Sequence, residues 1–154
     1  FYQIKINCQQ KMQNKKEQLN KEKEGIIKRF LEWIGLKEKL HQKTSKVPFV
    51  SEGDIWWVGF GENIGSEING KSEKFSRPGI IYKKLSNNFY LVIPTTTKEK
   101  IGSWFVSFIH KGVGMNACLH QVRTIDYRRL FSRLGSLSLD DFNKVKSGFN
   151  GLYK

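Results

Sequence analysis

Asp54–Phe60 reads DIWWVGF. Four runs of the same kind follow it: Gly79–Lys84 (GIIYKK), Phe89–Thr96 (FYLVIPTT), Trp104–His110 (WFVSFIH) and Ala117–Arg123 (ACLHQVR). Each is rich in β-branched and aromatic residues, and Gly, Asn and Ser lie between them. Short strands at this spacing, broken by turn formers, predict a small antiparallel barrel. Asn87-Asn88 suits a tight hairpin between the second and third strands, because Asn tolerates the left-handed region. The longest interval, Gly61–Ser76 (GENIGSEINGKSEKFS), reads as an extended loop.

On the C-terminal side, Asp126–Phe131 suits one short helix. Ser138 is a good helix N-cap, with Asp140 and Asp141 in the first turn where the dipole favours carboxylates. Leu139, Phe142, Val145 and Phe149 follow at helical spacing and form one apolar face. On the N-terminal side, residues 1–23 are a basic polar tail of Lys, Gln, Asn and Glu, expected to be flexible. Residues 24–50 read as an amphipathic helix and linker. Ile27, Phe30, Leu31, Ile34 and Trp33 form its stripe, Gly35 is a point where the helix kinks or ends, and Leu36 and Leu40 continue the stripe beyond it; it is expected to pack on the main domain. Pro48 stops it, so the compact domain runs over 51–154. The fold class is therefore mainly β with C-terminal helices, an α+β chain with an N-terminal helical extension.

The formal charge is +13, from 27 Lys and Arg against 14 Asp and Glu. It is spread over both parts: residues 1–50 hold 12 basic and 5 acidic side chains, and 51–154 hold 15 and 9. Such a balance favours phosphate-bearing or acidic partners. No apolar run approaches the ~18 residues of a membrane span, and the opening residues lack a signal peptide's apolar core. A soluble, cytoplasmic protein is the expectation. Cys8 and Cys118 match no zinc or redox spacing, which suits a reducing compartment.

Familiar catalytic signatures are missing. Gly112-Val113-Gly114 lacks a following helix and is expected to be a loop rather than a phosphate cradle. His41, His110 and His120 do not make a zinc site by spacing, so neither metal nor cofactor is expected. RNA offers a metal-free route, because its own 2′-hydroxyl lies beside the scissile phosphate. Such an enzyme need only orient that group, move protons and stabilise the crowded phosphorane. Arginine suits the last task, since its charged fork matches two phosphate oxygens. A hydroxyl can hold a third.

The residues also resemble a family. G-D-I-W-W-V at Gly53–Val58, I-G-S-E-I-N-G at Ile64–Gly70 and R-P-G-I-I at Arg77–Ile81 are similar to the opening blocks of PemK/MazF toxins. I-P-T-T-T-K at Ile93–Lys98, Q-V-R-T-I-D-Y-R-R-L at Gln121–Leu130 and L-G-S-L-S-L-D-D-F at Leu134–Phe142 continue the match in family order. The resemblance covers about residues 52–152. It implies an SH3-like barrel, commonly a homodimer, that cleaves single-stranded RNA at short sequences as the toxin of a type II toxin–antitoxin system. An acidic antitoxin is the implied protein partner, and operator DNA the implied ligand of the toxin–antitoxin complex.

The same resemblance assigns the catalytic pair to Arg77 and Thr96. Glu67, in a loop that lines the site in the family, is a candidate general base or merely a residue that orders the loop. Ser66, Lys71, Lys74, Thr97, Lys98, Gln121 and Arg123 are the implied RNA-binding residues. There are departures. The loop before Arg77 is longer than usual, which is expected to reshape the RNA groove. His120 stands where an acid is common, and Cys118 where one branch carries a catalytic Arg, so His120 is a candidate for proton transfer. Two other functions stay open on sequence alone: a non-catalytic nucleic-acid-binding barrel, and a gyrase-poisoning toxin of the CcdB type.

Overall fold

A computed structural model describes the backbone of residues 2–154, with side chains described from Gln10 onward. A long helix, α1 (Tyr2–Gln42), leads into seven strands: β1 (Asp54–Gly59), β2 (Ser76–Lys84), β3 (Phe89–Thr96), β4 (Phe105–His110), β5 (Val113–Cys118), β6 (Arg123–Asp126) and β7 (Leu130–Ser136). A second helix, α2 (Leu139–Leu152), closes the chain. The strands form one curled antiparallel sheet in the order β4-β5-β3-β2-β1-β7, with β6 also paired to β3. Strand β3 makes the curl: Phe89–Val92 pair with β6, and Thr95 and Thr96 pair with β5. Register shifts at Ile55/Trp56, Trp57/Val58 and Ile81/Lys83 add the local twist that bends the sheet.

Alternating strand residues feed two cores. Trp56, Val58, Phe60, Tyr90 and Val92 fill one face of the curl. Ile55, Ile80, Ile93, Phe108 and Leu119 meet Phe142 and Val145 of α2 on the other. Ser138 caps α2 as expected, its Oγ accepting from Asp141 N at 3.1 Å. Leu139, read as part of the apolar face, is instead 73% exposed, one turn too early to reach the sheet.

Several local expectations are corrected. Ala117–Arg123 is not one strand: β5 ends at Cys118, Leu119–Gln121 form a 3-10 turn, and β6 starts at Arg123. Asp126–Phe131 holds only a 3-10 turn at Tyr127–Arg129 before β7. The β2–β3 hairpin closes through Leu85 N and Ser86 N on Phe89 O, without either Asn in the left-handed region. Gly112 is not part of a free loop. With Lys111 it forms a two-residue turn in which both have positive φ (50° and 77°), and Val113–Gly114 already belong to β5.

The largest difference lies in the N-terminal segment. The helix begins at Tyr2 rather than near Glu24 and runs through Gly35 without a break. Its contact with the domain is made by Trp33, Leu36 and Leu40, packed with Phe75 and Phe131. The expected stripe is mostly left outside. Ile27, Phe30, Leu31 and Ile34 are each 47–61% exposed, and of the predicted set it is Trp33 and the continuation at Leu36 and Leu40 that pack on the domain. A helix can carry two apolar faces, and periodicity alone does not say which one the domain takes.

Candidate active site

Arg77 and Thr96 lie on neighbouring strands. The β2–β3 ladder pairs Gly79 with Pro94, so the same register carried two residues further sets Arg77 opposite Thr96 on one face. The ladder stops there for a reason in the sequence. Pro78 and Pro94 have no N–H to donate, and Pro78 O is taken by the Thr95 hydroxyl at 2.9 Å. The strands are left unzipped at this end. The resulting notch is a cavity of about 310 Å³ lined by Arg77, Thr96, Thr97 and Lys71, with Trp57, Ser76 and Met115 among its walls.

Arg77 and Thr96 are each held by a hydrogen bond. Arg77 is half-buried and donates through Nε to the Asn69 carbonyl, which leaves the outer nitrogens of its fork for a ligand. Burial draws its pKa down, and the neighbouring Cys118 thiol opposes that only weakly. Burial pushes the Cys118 thiol up, against the pull of Arg77 and Lys100, so it stays an uncharged thiol near neutral pH. The Thr96 hydroxyl accepts from Lys98 N at 3.2 Å, and its own proton remains available to donate. Trp57 is the one exposed residue of an otherwise buried β1, offering an indole face at the cavity wall.

The loop Gly61–Ser76 forms the near side of the notch. Phe75, two residues before Arg77, sits at φ 48°, a conformation costly for a residue with a side chain. Burial holds it there. Its ring is 1% exposed, stacks on Trp33 at 5.6 Å and lies under the Arg29 guanidinium at 4.4 Å. Arg29 also bonds Glu62 at 2.6 Å, Gly70 O at 2.9 Å and Ser72 O at 3.3 Å. Gly61 must be glycine: its φ is +91°, and a Cβ there would stand 2.4 Å from the Trp33 ring. Helix α1 thus buttresses the loop that lines the site from behind.

The other residues singled out in the sequence form a second layer. Gln121 spends both ends of its amide on the loop, accepting from Ile68 N and donating to Ser66 O, each at 3.0 Å. Arg123 reaches Phe60 O and Asn63 Oδ1 and lies over the Phe60 ring. Glu67 is exposed, accepts weakly from Ile64 N at 3.3 Å, and is near enough to favour the charge of Arg123. None of these three lines the notch. Lys74 and Lys98 are exposed at its margin. His120 packs tilted on Trp104 at 5.0 Å and edge-on to Phe105 at 5.2 Å, does not line the notch, and has its Nδ1 buried and unpartnered in the structure. Sequence reasoning missed Trp57 and Asn69. The alternation in DIWWVG marks one of two tryptophans as outward, but not what it faces.

A single curled β-sheet domain, with a cationic notch where two prolines part neighbouring strands, defines a small class of proteins. Residues 51–152 match the family model described as PemK-like, MazF-like toxin of type II toxin–antitoxin system, and the chain belongs to that family. Among solved structures, MazF of Deinococcus radiodurans matches with a TM-score of 0.58 and 22% identity, over 71% of this chain and 98% of its own. The MazE–MazF complex of the same organism gives 0.53 and 20%, over 71% and 97%. A mycobacterial endoribonuclease in complex with its cognate antitoxin gives 0.53 and 12%, over 66% and 92%. No curated protein matches the chain significantly. No described helix is long and apolar enough to cross a membrane.

Proposed function

We propose that this chain is the ribonuclease toxin of a type II toxin–antitoxin pair, cutting single-stranded RNA without a metal. The observation that carries this is the Arg77–Thr96 pair, opposed across a parted strand end in one cavity with Lys71 and Trp57 beside it. The RNA 2′-hydroxyl gives its proton to solvent water as it attacks the phosphorus, the P–O5′ bond breaks, the leaving O5′ takes up a proton, and a 2′,3′-cyclic phosphate and a 5′-hydroxyl result. The free fork of Arg77 stabilises the phosphorane and helps the leaving oxygen take up its proton. Thr96 donates to a second phosphate oxygen. Lys71, Lys74, Thr97 and Lys98 attract the backbone, and Trp57 offers a stacking face for an unpaired base.

Glu67 and Gln121 are assigned to ordering the loop rather than to proton transfer or base reading, since their side chains are engaged there. The mycobacterial and Deinococcus complexes support an antitoxin as this chain's partner; by the family pattern that antitoxin is acidic, the toxin is a cytoplasmic dimer, and the complex of the two binds operator DNA. The test is a long RNA incubated in EDTA with wild type and with Arg77→Ala. Cleavage by the wild type only is expected, with cyclic phosphate ends. Loss of cleavage on chelation would overturn the metal-free mechanism, and cleavage by Arg77→Ala would overturn the site.

A further inference from the structure

Helix α1 has two apolar faces, and the domain covers only one. At 100° per residue, Arg29, Trp33, Leu36 and Leu40 span about 60° of the helix, and Ile27, Phe30, Leu31 and Ile34 centre about 140° away. The first set meets the barrel; the second is exposed in water. The exposed stripe is symmetrical about a point between Phe30 and Leu31. Reversing the helix about that point brings Ile27 onto Ile34, Phe30 onto Leu31, Lys23 onto Glu38 and Asn20 onto His41. All eight residues are exposed.

We infer that this stripe pairs with the same stripe of a second copy of the chain, in an antiparallel helix–helix contact with a two-fold axis between Phe30 and Leu31. A two-fold interface requires a patch that complements itself, and this one does. Its apolar layers lie in the middle and an opposite-charge layer closes each end. A parallel pairing would stack Lys23 on Lys23 and Glu38 on Glu38, so charge selects the antiparallel orientation. Each copy's barrel lies on the far side of its own helix, so the two domains do not occupy the seam. A cleft of about 400 Å³ bounded by Ile34, Lys37, Glu38 and Arg128 leaves space beside it for the partner helix. The stripe lies outside the toxin-family segment 51–152, so the inference stands apart from the proposed ribonuclease function.

The test uses the full chain with Cys8→Ser, Cys118 being buried. One preparation carries Ile27→Cys and another Ile34→Cys. A mixture treated with a short bismaleimide is expected to give heterodimers, with little crosslinking in either protein alone. Glu32→Cys, on another face, reports background. Separately, Glu38→Lys should weaken self-association about tenfold by sedimentation equilibrium, and Lys23→Glu added to it should restore the wild-type value. Self-crosslinking of each single variant would mean a parallel pairing and overturn the inference. A mixture no better crosslinked than Glu32→Cys would overturn it too, leaving the stripe to another protein or the chain dimeric through its barrel alone. Failure of the second charge reversal to rescue the first has the same meaning.

Discussion

Arg77 works through the shape of its side chain as well as its charge. Nε is committed to Asn69 O, so the two outer nitrogens are aimed by a bond the protein supplies. A lysine there keeps the charge but loses both the anchor and the fork. Arg77→Lys is therefore expected to lower single-turnover cleavage about 100-fold, and Arg77→Ala by about 10³. Thr96 is less legible in sequence, since β-branched residues are ordinary in strands; its role rests on family pattern and on the unpaired strand end. Asp54 is a residue whose importance is structural. Burial raises its pKa, but hydrogen bonds from Arg133 at 2.8 Å, Ser136 and Ser51 outweigh that and leave it lowered. A carboxylate with a lowered folded-state pKa stabilises fully above its unfolded value, and that stability is lost as pH falls through the folded one. Asp54→Ala should cost about 2 kcal/mol in urea unfolding at pH 7, since Arg133 is half-exposed and can return to water. The gap between variant and wild type should shrink toward pH 3.

At the level of elements, α1 and the loop Gly61–Ser76 form one unit. Asn63, Asn69 and Glu62 bond the loop to itself, but these side chains do not reach Phe75, which stands in left-handed conformation. Trp33 and Arg29 do, from a helix that lies outside the family's compact domain. Arg29→Ala removes an ion pair, two bonds to carbonyls and a cation over Phe75. It should cost about 2 kcal/mol, or about 4–8 °C in Tm. Because the loop carries Lys71 and leads directly into Arg77, RNA cleavage should weaken mainly through KM. Arg29→Lys retains an ion pair with Glu62 but not the fork onto Gly70 O and Ser72 O, and is expected to recover only part of the loss. Melting and steady-state kinetics on the same preparations check both.

Across the whole molecule, net charge +13 sets the conditions for binding more than the notch does. Lys and Arg occur in the helix and the barrel alike, so RNA affinity should fall steeply with salt. A single-stranded oligonucleotide should show log Kd rising linearly with log salt, with a slope of about 0.7 for each phosphate neutralised. Lys71→Ala and Lys74→Ala should each reduce that slope by about 0.7, while Asp54→Ala leaves it unchanged. Fluorescence anisotropy over a salt series measures it.

The first four strands, the capped C-terminal helix and the ordered blocks around Arg77 and Thr96 could be read from residues alone; β5, β6 and β7 could not. Alternation, turn chemistry and caps act over a few neighbours, and that information is local. What the chain did not reveal locally was set by competition between distant surfaces. Whether Ala117–Arg123 stays a strand depends on what β3 pairs with; whether Leu139 is covered depends on where α2 meets the sheet. Which of two apolar faces of α1 enters the domain depends on Phe75 and Phe131, brought together only when the sheet curls. The barrel and its catalytic candidates were thus determined by the sequence by itself. Only the tertiary structure decided that Gln121 and Arg123 brace a loop, that Trp57 faces the notch, and that an N-terminal helix supports the loop lining it, because each depends on contacts between residues tens of positions apart.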